Sequence, residues 1–199
     1  MVMLNHHAVP ERIPVMILFA ETRGFTRMSE ILQPSVVLAR ISEFFDMVAA
    51  AVERHEGAVP NVFNDTLAAT FTGQDYAQHA ARAAQEIRQD FGSVAEVWER
   101  DYALHAAVAM GLHCGEIVVG PAGDSVPGRQ LVIGDSLSIA QRLLHRARAG
   151  EYVLSHAFME ALAATQFPLD TVELPALKIP PREPVRVFGV LLDTRLDFT

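Results

Sequence analysis

Apolar and polar positions along the chain follow two rhythms that alternate. Ile13 to Ala20 is an almost unbroken apolar run, the pattern of a strand covered on both faces. Beyond Pro34, residues Val36, Val37, Ile41, Phe44, Phe45, Val48 and Val52 recur at intervals of three and four. That spacing predicts a long amphipathic helix ending near Gly57. Two short apolar runs, VPNVF and TLAATF, flank Asn64-Asp65 and predict a tight hairpin with an acid at its tip. Asp75 is placed to cap a second long helix carrying Ala80, Ala83, Ala84, Ile87 and Phe91, with a break expected at Gly92 before Trp98.

The second half repeats the alternation. Leu104 to Gly111 and Glu116 to Gly120 read as strands joined by a turn at Gly115, and residues 121–128 as an exposed loop. Leu131 to Ile133 predicts a short strand, and Ser136 to Arg148 a helix with Leu137, Ala140, Leu143 and Leu144 on one face. Tyr152 to Leu154 and Val185 to Leu192 complete the sheet. The stretch Pro175 to Pro184 holds four prolines, which confines it to a loop or an edge. The order βαββαβ with an extra helix and strands predicts an α+β sandwich of ferredoxin-like type. One domain is expected over residues 13–192, between a loose tail at 1–12 and a short one at 193–199. His6 and His7 fall in the first tail and read as solvated.

Composition narrows the class. The chain has 199 residues, half of them hydrophobic, enough for one sizeable core. A net charge of −8 argues against a nucleic-acid surface, which needs a basic stripe. No apolar run approaches the ~20 residues of a membrane span, and the N-terminus lacks a signal-peptide core. The single cysteine, Cys114, allows no internal disulfide and fits a reducing, cytoplasmic setting; it reads as a small buried hydrophobe. An acidic protein that handles phosphates would need metal to offset its own charge.

Candidate chemistry sits at strand ends. Glu21 closes the first apolar run, and the glycine turn that follows, through Thr26, suits the cradling of a polyphosphate by backbone N–H groups from Thr22, Arg23, Gly24, Phe25 and Thr26. Asp65 supplies a second carboxylate, and two acids on neighbouring strand ends suit one or two divalent ions. Taken singly, Glu21 reads as a strand-end acid beside Arg23, Asp65 as a turn residue and Arg142 as a solvated helix arginine. His105 and His113 share even spacing but have no third ligand beside them, and read as structural or interface residues.

Four segments, ILFAETRGFTRMSE, GAVPNVFNDTLAATF, GLHCGEIVVGPAGD and VIGDSLSIAQRL, stand in order at separations that resemble the catalytic domains of class III adenylyl and guanylyl cyclases. The weaker EYVLS and PVRVFGVL extend the match across nearly the whole chain. The resemblance implies a head-to-tail homodimer, or a heterodimer with another cyclase-type domain, with sites shared across the interface. It also implies a nucleoside triphosphate substrate and two Mg2+ or Mn2+ ions. Glu21 stands at the first metal aspartate and Asp65 at the second. Asn61 stands where the family has a purine-reading lysine, and Leu131 at its polar partner. Arg142 matches the arginine that offsets charge on the reacting phosphate, and Ser138 the ribose-contacting asparagine. Asn64 replaces a turn glycine, and asparagine tolerates positive φ well. Four departures among six positions imply a degenerate domain of weak or no turnover that dimerises or binds a nucleotide or partner. The alternative is an active metal-dependent cyclase of altered base selectivity, in which a 3′-hydroxyl attacks the α-phosphorus and pyrophosphate leaves.

Overall fold

The computed structural model describes residues 9–121 and 130–190. Strand β1 (Glu11–Arg23) runs through the middle of the sheet, with Val15, Met16, Ile17 and Leu18 fully buried. Helix α1 (Phe25–Ile31) leads into α2 (Pro34–Arg54), where Pro34 takes a first-turn position whose N–H would lack a partner in any case. The hairpin β2 (Ala58–Phe63) and β3 (Thr66–Phe71) precedes α3 (Tyr76–Tyr102) and the long β4 (Ala107–Pro121). Then come β5 (Gln130–Ile133), α4 (Asp135–Arg146), β6 (Tyr152–Ser155), α5 (His156–Ala163), β7 (Val172–Leu177) and β8 (Val185–Val190).

The eight strands form one sheet in the order β2-β3-β1-β4-β6-β8-β7, with β5 paired to the far end of β4. The first four neighbours are antiparallel, which is the predicted βαββαβ unit, and β6 then joins β4 in parallel. Period-two alternation divides β1 between two layers. Met16, Leu18 and Ala20 meet Met28, Phe44, Ile87 and Phe158 on the face covered by α1, α2, α3 and α5. Val15 and Ile17 meet Ala140 of α4 on the other face. The alanine-rich side of α3 lies against the sheet, and Phe91 meets both Phe44 and Trp98 edge to face at 5.7 Å. Phe44 and Trp98 are therefore core.

Several boundaries differ from expectation. Strand β1 starts at Glu11, inside the segment read as a tail. The turn expected at Gly115 does not exist: β4 is continuous, and Gly115 stands opposite Val15 in the ladder. Helix α3 passes Gly92 unbroken, and Asp75 before it adopts φ 54° and makes no side-chain cap bond. Neither α1 nor α5 is announced by the hydrophobic pattern, since one or two turns hold too few apolar positions to show a period. Pro175 does lie on an edge strand, β7. Residues 122–128 of the expected loop, the extreme tails 1–8 and 193–199, and residues 191–192 lie outside the described residues.

Candidate functional site

The ladder between β1 and β3 ends with Glu21 opposite Thr66, so Asp65, one residue before Thr66, comes beside Glu21. The hairpin that carries it turns at Asn64, whose φ of 53° is the left-handed value expected when asparagine replaces glycine. Asp65 makes no ion pair among the described residues. Its carboxyl is held above the usual aspartate range, first by burial and then by the neighbouring negative charge of Glu21, against the lowering effects of a backbone hydrogen bond and of Arg23. Glu21 is differently placed. Arg23 Nη1 donates to its Oε1, and Thr66 Oγ1 donates to its Oε2 at 3.1 Å. Arg23 Nη2 reaches further, donating to the carbonyls of Leu144 and Ala147, both at 2.9 Å.

After Arg23 the chain turns at Gly24 with φ 106°, and a Cβ there would stand 2.7 Å from the His105 carbonyl oxygen. Only glycine fits. Helix α1 starts immediately, and no side chain caps its first amides. The open part of the turn expected to cradle phosphate is shorter than the stretch 22–26. Thr22 and Arg23 still belong to the β1–β4 ladder, opposite Val108 and Ala107, and the Thr22 side chain is buried in the core. Phe25 packs toward α2, which leaves Gly24 and the exposed Thr26 as the open part of the turn. A cavity of about 290 Å³ lies beside it, lined by Phe25 and Ser29 of α1, Val37, Leu38 and Ile41 of α2, and Asn64. Its lining is too apolar for a polyphosphate.

Helix α4 carries the other half of the expected site. It lies close on β4, because a Cβ at Gly111 would meet the Leu144 nitrogen at 2.2 Å. Asp135 pairs with Arg182 at its start, Ser136 Oγ donates to the Glu116 carbonyl at 2.9 Å, and Arg23 holds its last carbonyls. Ile139, Ala140, Leu143 and Leu144 face inward. Ser138 and Arg142, one turn apart, are exposed on the outer side. Arg142 makes no hydrogen bond or ion pair among the described residues. Its helix is fixed while its guanidinium is free.

The two positions expected to read a base lie apart. Asn61 is exposed on β2, opposite Ala68, and Leu131 is exposed on β5, opposite Gly120. Strands β3, β1 and β4 stand between them, four ladder steps or about 19 Å across the sheet alone, and the registers set them further apart along it, Asn61 level with Gly111 of β4 and Leu131 with Gly120. One chain therefore does not bring Asn61 and Leu131 to one base. Both strands also expose large apolar side chains, Phe63 at 72% and Ile133 at 53%.

The histidines divide. His105 precedes β4 and is exposed near Glu99. His113 is buried, its Nδ1 2.8 Å from Ser155 Oγ, and burial pushes its pKa down to about 4. Cys114 is half-buried, its sulfur 3.1 Å from the Tyr76 hydroxyl, a contact that with burial pushes that phenol up to about 12. Sequence reasoning set Arg23 beside Glu21 but not its bonds to α4, and did not mark Thr66. Arg23 is two residues from Glu21 and so on its strand face, whereas Thr66 is legible only once the register is known.

The donor chemistry suits magnesium or manganese. Glu21 and Asp65 offer hard carboxylate oxygens at adjacent strand ends, and magnesium is commonly held by one or two carboxylates plus substrate phosphates. Among the described residues no group of three or more potential ligands gathers.

The family model for the adenylate and guanylate cyclase catalytic domain matches residues 9–189. An adenylate cyclase of Anabaena cylindrica is 28% identical over 130 residues, which is 64% of this chain and 26% of that relative. The chain thus spans about a quarter of the length of that curated relative. Among solved structures, the adenylyl cyclase CyaB from P. aeruginosa superposes with a TM-score of 0.82 at 20% identity, over 96% of this chain and 100% of that one. The guanylyl cyclase Cya2 gives 0.81 at 23% identity, over 90% and 92%. At such identities the structural likeness establishes the fold.

Proposed function

For a chain that belongs to the adenylate and guanylate cyclase catalytic domains, we propose a dimerising, nucleoside-triphosphate-binding domain of weak or no turnover. The observation that carries this reading is the division of the site within the chain. Glu21, Asp65 and Asn61 lie toward the β2 end of the sheet, while Leu131, Ser138 and Arg142 lie on β5 and the outer side of α4. A second copy, or another cyclase-type chain, supplies what each half lacks. The exposed Phe63, Leu131 and Ile133 give such an interface apolar area.

In the assembled site, Asp65 and Glu21 hold the divalent ions, the open turn at Gly24 and Thr26 faces the phosphates, and Arg142 from the other chain offsets charge on the α-phosphate. The ions would lower the pKa of the attacking 3′-hydroxyl and neutralise the polyphosphate. Turnover is weak because both oxygens of Glu21 already accept bonds within the protein. Leu131 offers a base no hydrogen bond, so selectivity among bases is low.

The second reading, an active cyclase, is favoured by the left-handed turn at Asn64 and by the exposed Arg142, which has no hydrogen bond or ion pair among the described residues. A pool of ATP, GTP, CTP and UTP with manganese, read by mass spectrometry for cyclic monophosphates, separates the two. The expected result is nucleotide binding that Asp65→Ala abolishes, with trace product at most. Brisk product formation lost in Asp65→Ala and Arg142→Ala would establish the active enzyme instead. A monomer by sedimentation at tens of micromolar, with and without nucleotide, would defeat the homodimer.

A further inference from the structure

We propose that Arg23 is a displaceable internal counter-ion, a positioning residue that holds Glu21 and ties the acid pair to the end of helix α4. The inference rests on the reading of Glu21 and Asp65 as metal-holding acids and goes beyond it. One guanidinium serves three acceptors: the Glu21 carboxylate, the Leu144 carbonyl and the Ala147 carbonyl. The two carbonyls lie at the C-terminal end of α4, where the helix dipole favours a cation; that of Leu144 also accepts from the Ala147 amide at 3.0 Å, and Ala147 is the capping residue just past the last turn.

The geometry has two consequences. Without metal, Arg23 supplies the positive charge nearest Glu21, so a cation arriving at the acids competes with the guanidinium for the same carboxylate. The glutamate's extra methylene does not leave the carboxylate loose, because Arg23 and Thr66 fix one oxygen each. When a cation draws Glu21 away, the guanidinium loses the acceptor that fixed its rotamer, and its hold on the last turn of α4 weakens. Occupancy of the acids is thereby transmitted to the helix that bears Ser138 and Arg142.

The test needs no turnover. Manganese alone is titrated into wild type, Arg23→Gln, Arg23→Lys and Asp65→Ala by calorimetry, and amide exchange is followed over residues 143–151 with and without the ion. Arg23→Gln is expected to bind manganese about tenfold more tightly. Its α4 end should exchange quickly whether or not metal is present. In the wild type, manganese should accelerate exchange in that segment. Arg23→Lys keeps the charge but cannot bridge three acceptors, so it should bind manganese like wild type yet lose the protection of α4.

Unchanged or weaker manganese binding in Arg23→Gln overturns the counter-ion role. Exchange over residues 143–151 that ignores manganese in the wild type overturns the coupling. If manganese binding is lost in Asp65→Ala but indifferent to both Arg23 variants, the metal reading survives and this inference alone fails. Absence of manganese binding in every variant removes both.

Discussion

The two halves of the candidate site are built on opposite plans. Around Glu21 the polar groups are turned inward and engaged: Glu21 accepts from Arg23 and Thr66, and Arg23 continues into the end of α4. On α4 the candidate side chains Ser138 and Arg142 are turned outward and Arg142 engages nothing among the described residues, although the helix beneath it is pinned at both ends. The first half is self-satisfied and the second is held ready. A pre-positioned but unpaired arginine costs the chain little in water and acts only when something is brought to it. The half-buried Asp65 carries a standing cost, its pKa raised first by burial and then by the charge of Glu21.

The sharpest way to break the comparison is to dislodge α4 from the sheet. A methyl at Gly111 collides with the backbone of the helix at Leu144 and Ala140, so Gly111→Ala should destabilise by about 3 kcal/mol in denaturant unfolding. A similar total effect, confined to acid, is expected from His113. Burial depresses its folded pKa to about 4, below its unfolded value, so its contribution is fully present above the unfolded pKa. That contribution is lost as pH falls through the window down to about 4. His113→Gln should flatten this part of the stability profile, which spans of order 3 kcal/mol.

The acid half gives a smaller change of opposite sign. Because the folded pKa of Asp65 is raised, its ionisation disfavours folding. The penalty is absent below its unfolded pKa and appears as pH rises through the folded one. Metal-free Asp65→Asn should therefore melt slightly higher than wild type at pH 7, with the difference vanishing toward pH 3 on a thermal scan. The smallest effect belongs to the outward half. Arg142→Ala and Ser138→Ala should leave stability within about 0.5 kcal/mol of wild type. A larger loss would mean that α4 leans on these side chains and that the contrast between the halves is false.

The layers were legible in the sequence, and so were the positions proposed for the two halves of the site, but not the bonds that wire each half. The run from Ile13, the hairpin around Asp65 and the amphipathic spacing after Pro34 and after Ser136 each express one physical period, and each appears in the fold. The misreadings share a cause. Gly115 and Gly92 look like punctuation in a linear reading, yet they lie inside a strand and a helix. At Gly115 a Cβ would meet Ser136 Oγ at 2.2 Å, a constraint from a residue distant in sequence. Asp75 likewise looked like a cap because its position was right, whereas capping needs a side-chain direction that composition does not encode. Arg23 was visible as part of a turn motif and as a neighbour of Glu21. Its three bonds need the end of α4, more than a hundred positions away, to be brought alongside.

The long antiparallel pairing of β1 with β4 also bears on how this protein is made. Residues joined in that ladder are separated by roughly a hundred positions, the kind of non-local contact that slows folding. As the chain leaves the ribosome, β1, with four consecutive fully buried residues, waits for its central neighbour until β4 has been synthesised. During that interval the apolar strand depends on the hairpin partner β3 and on early helices for cover. The acids at the end of β1 thus reach their final setting late, and conditions that slow the arrival of β4 should lower yield before they alter the finished site.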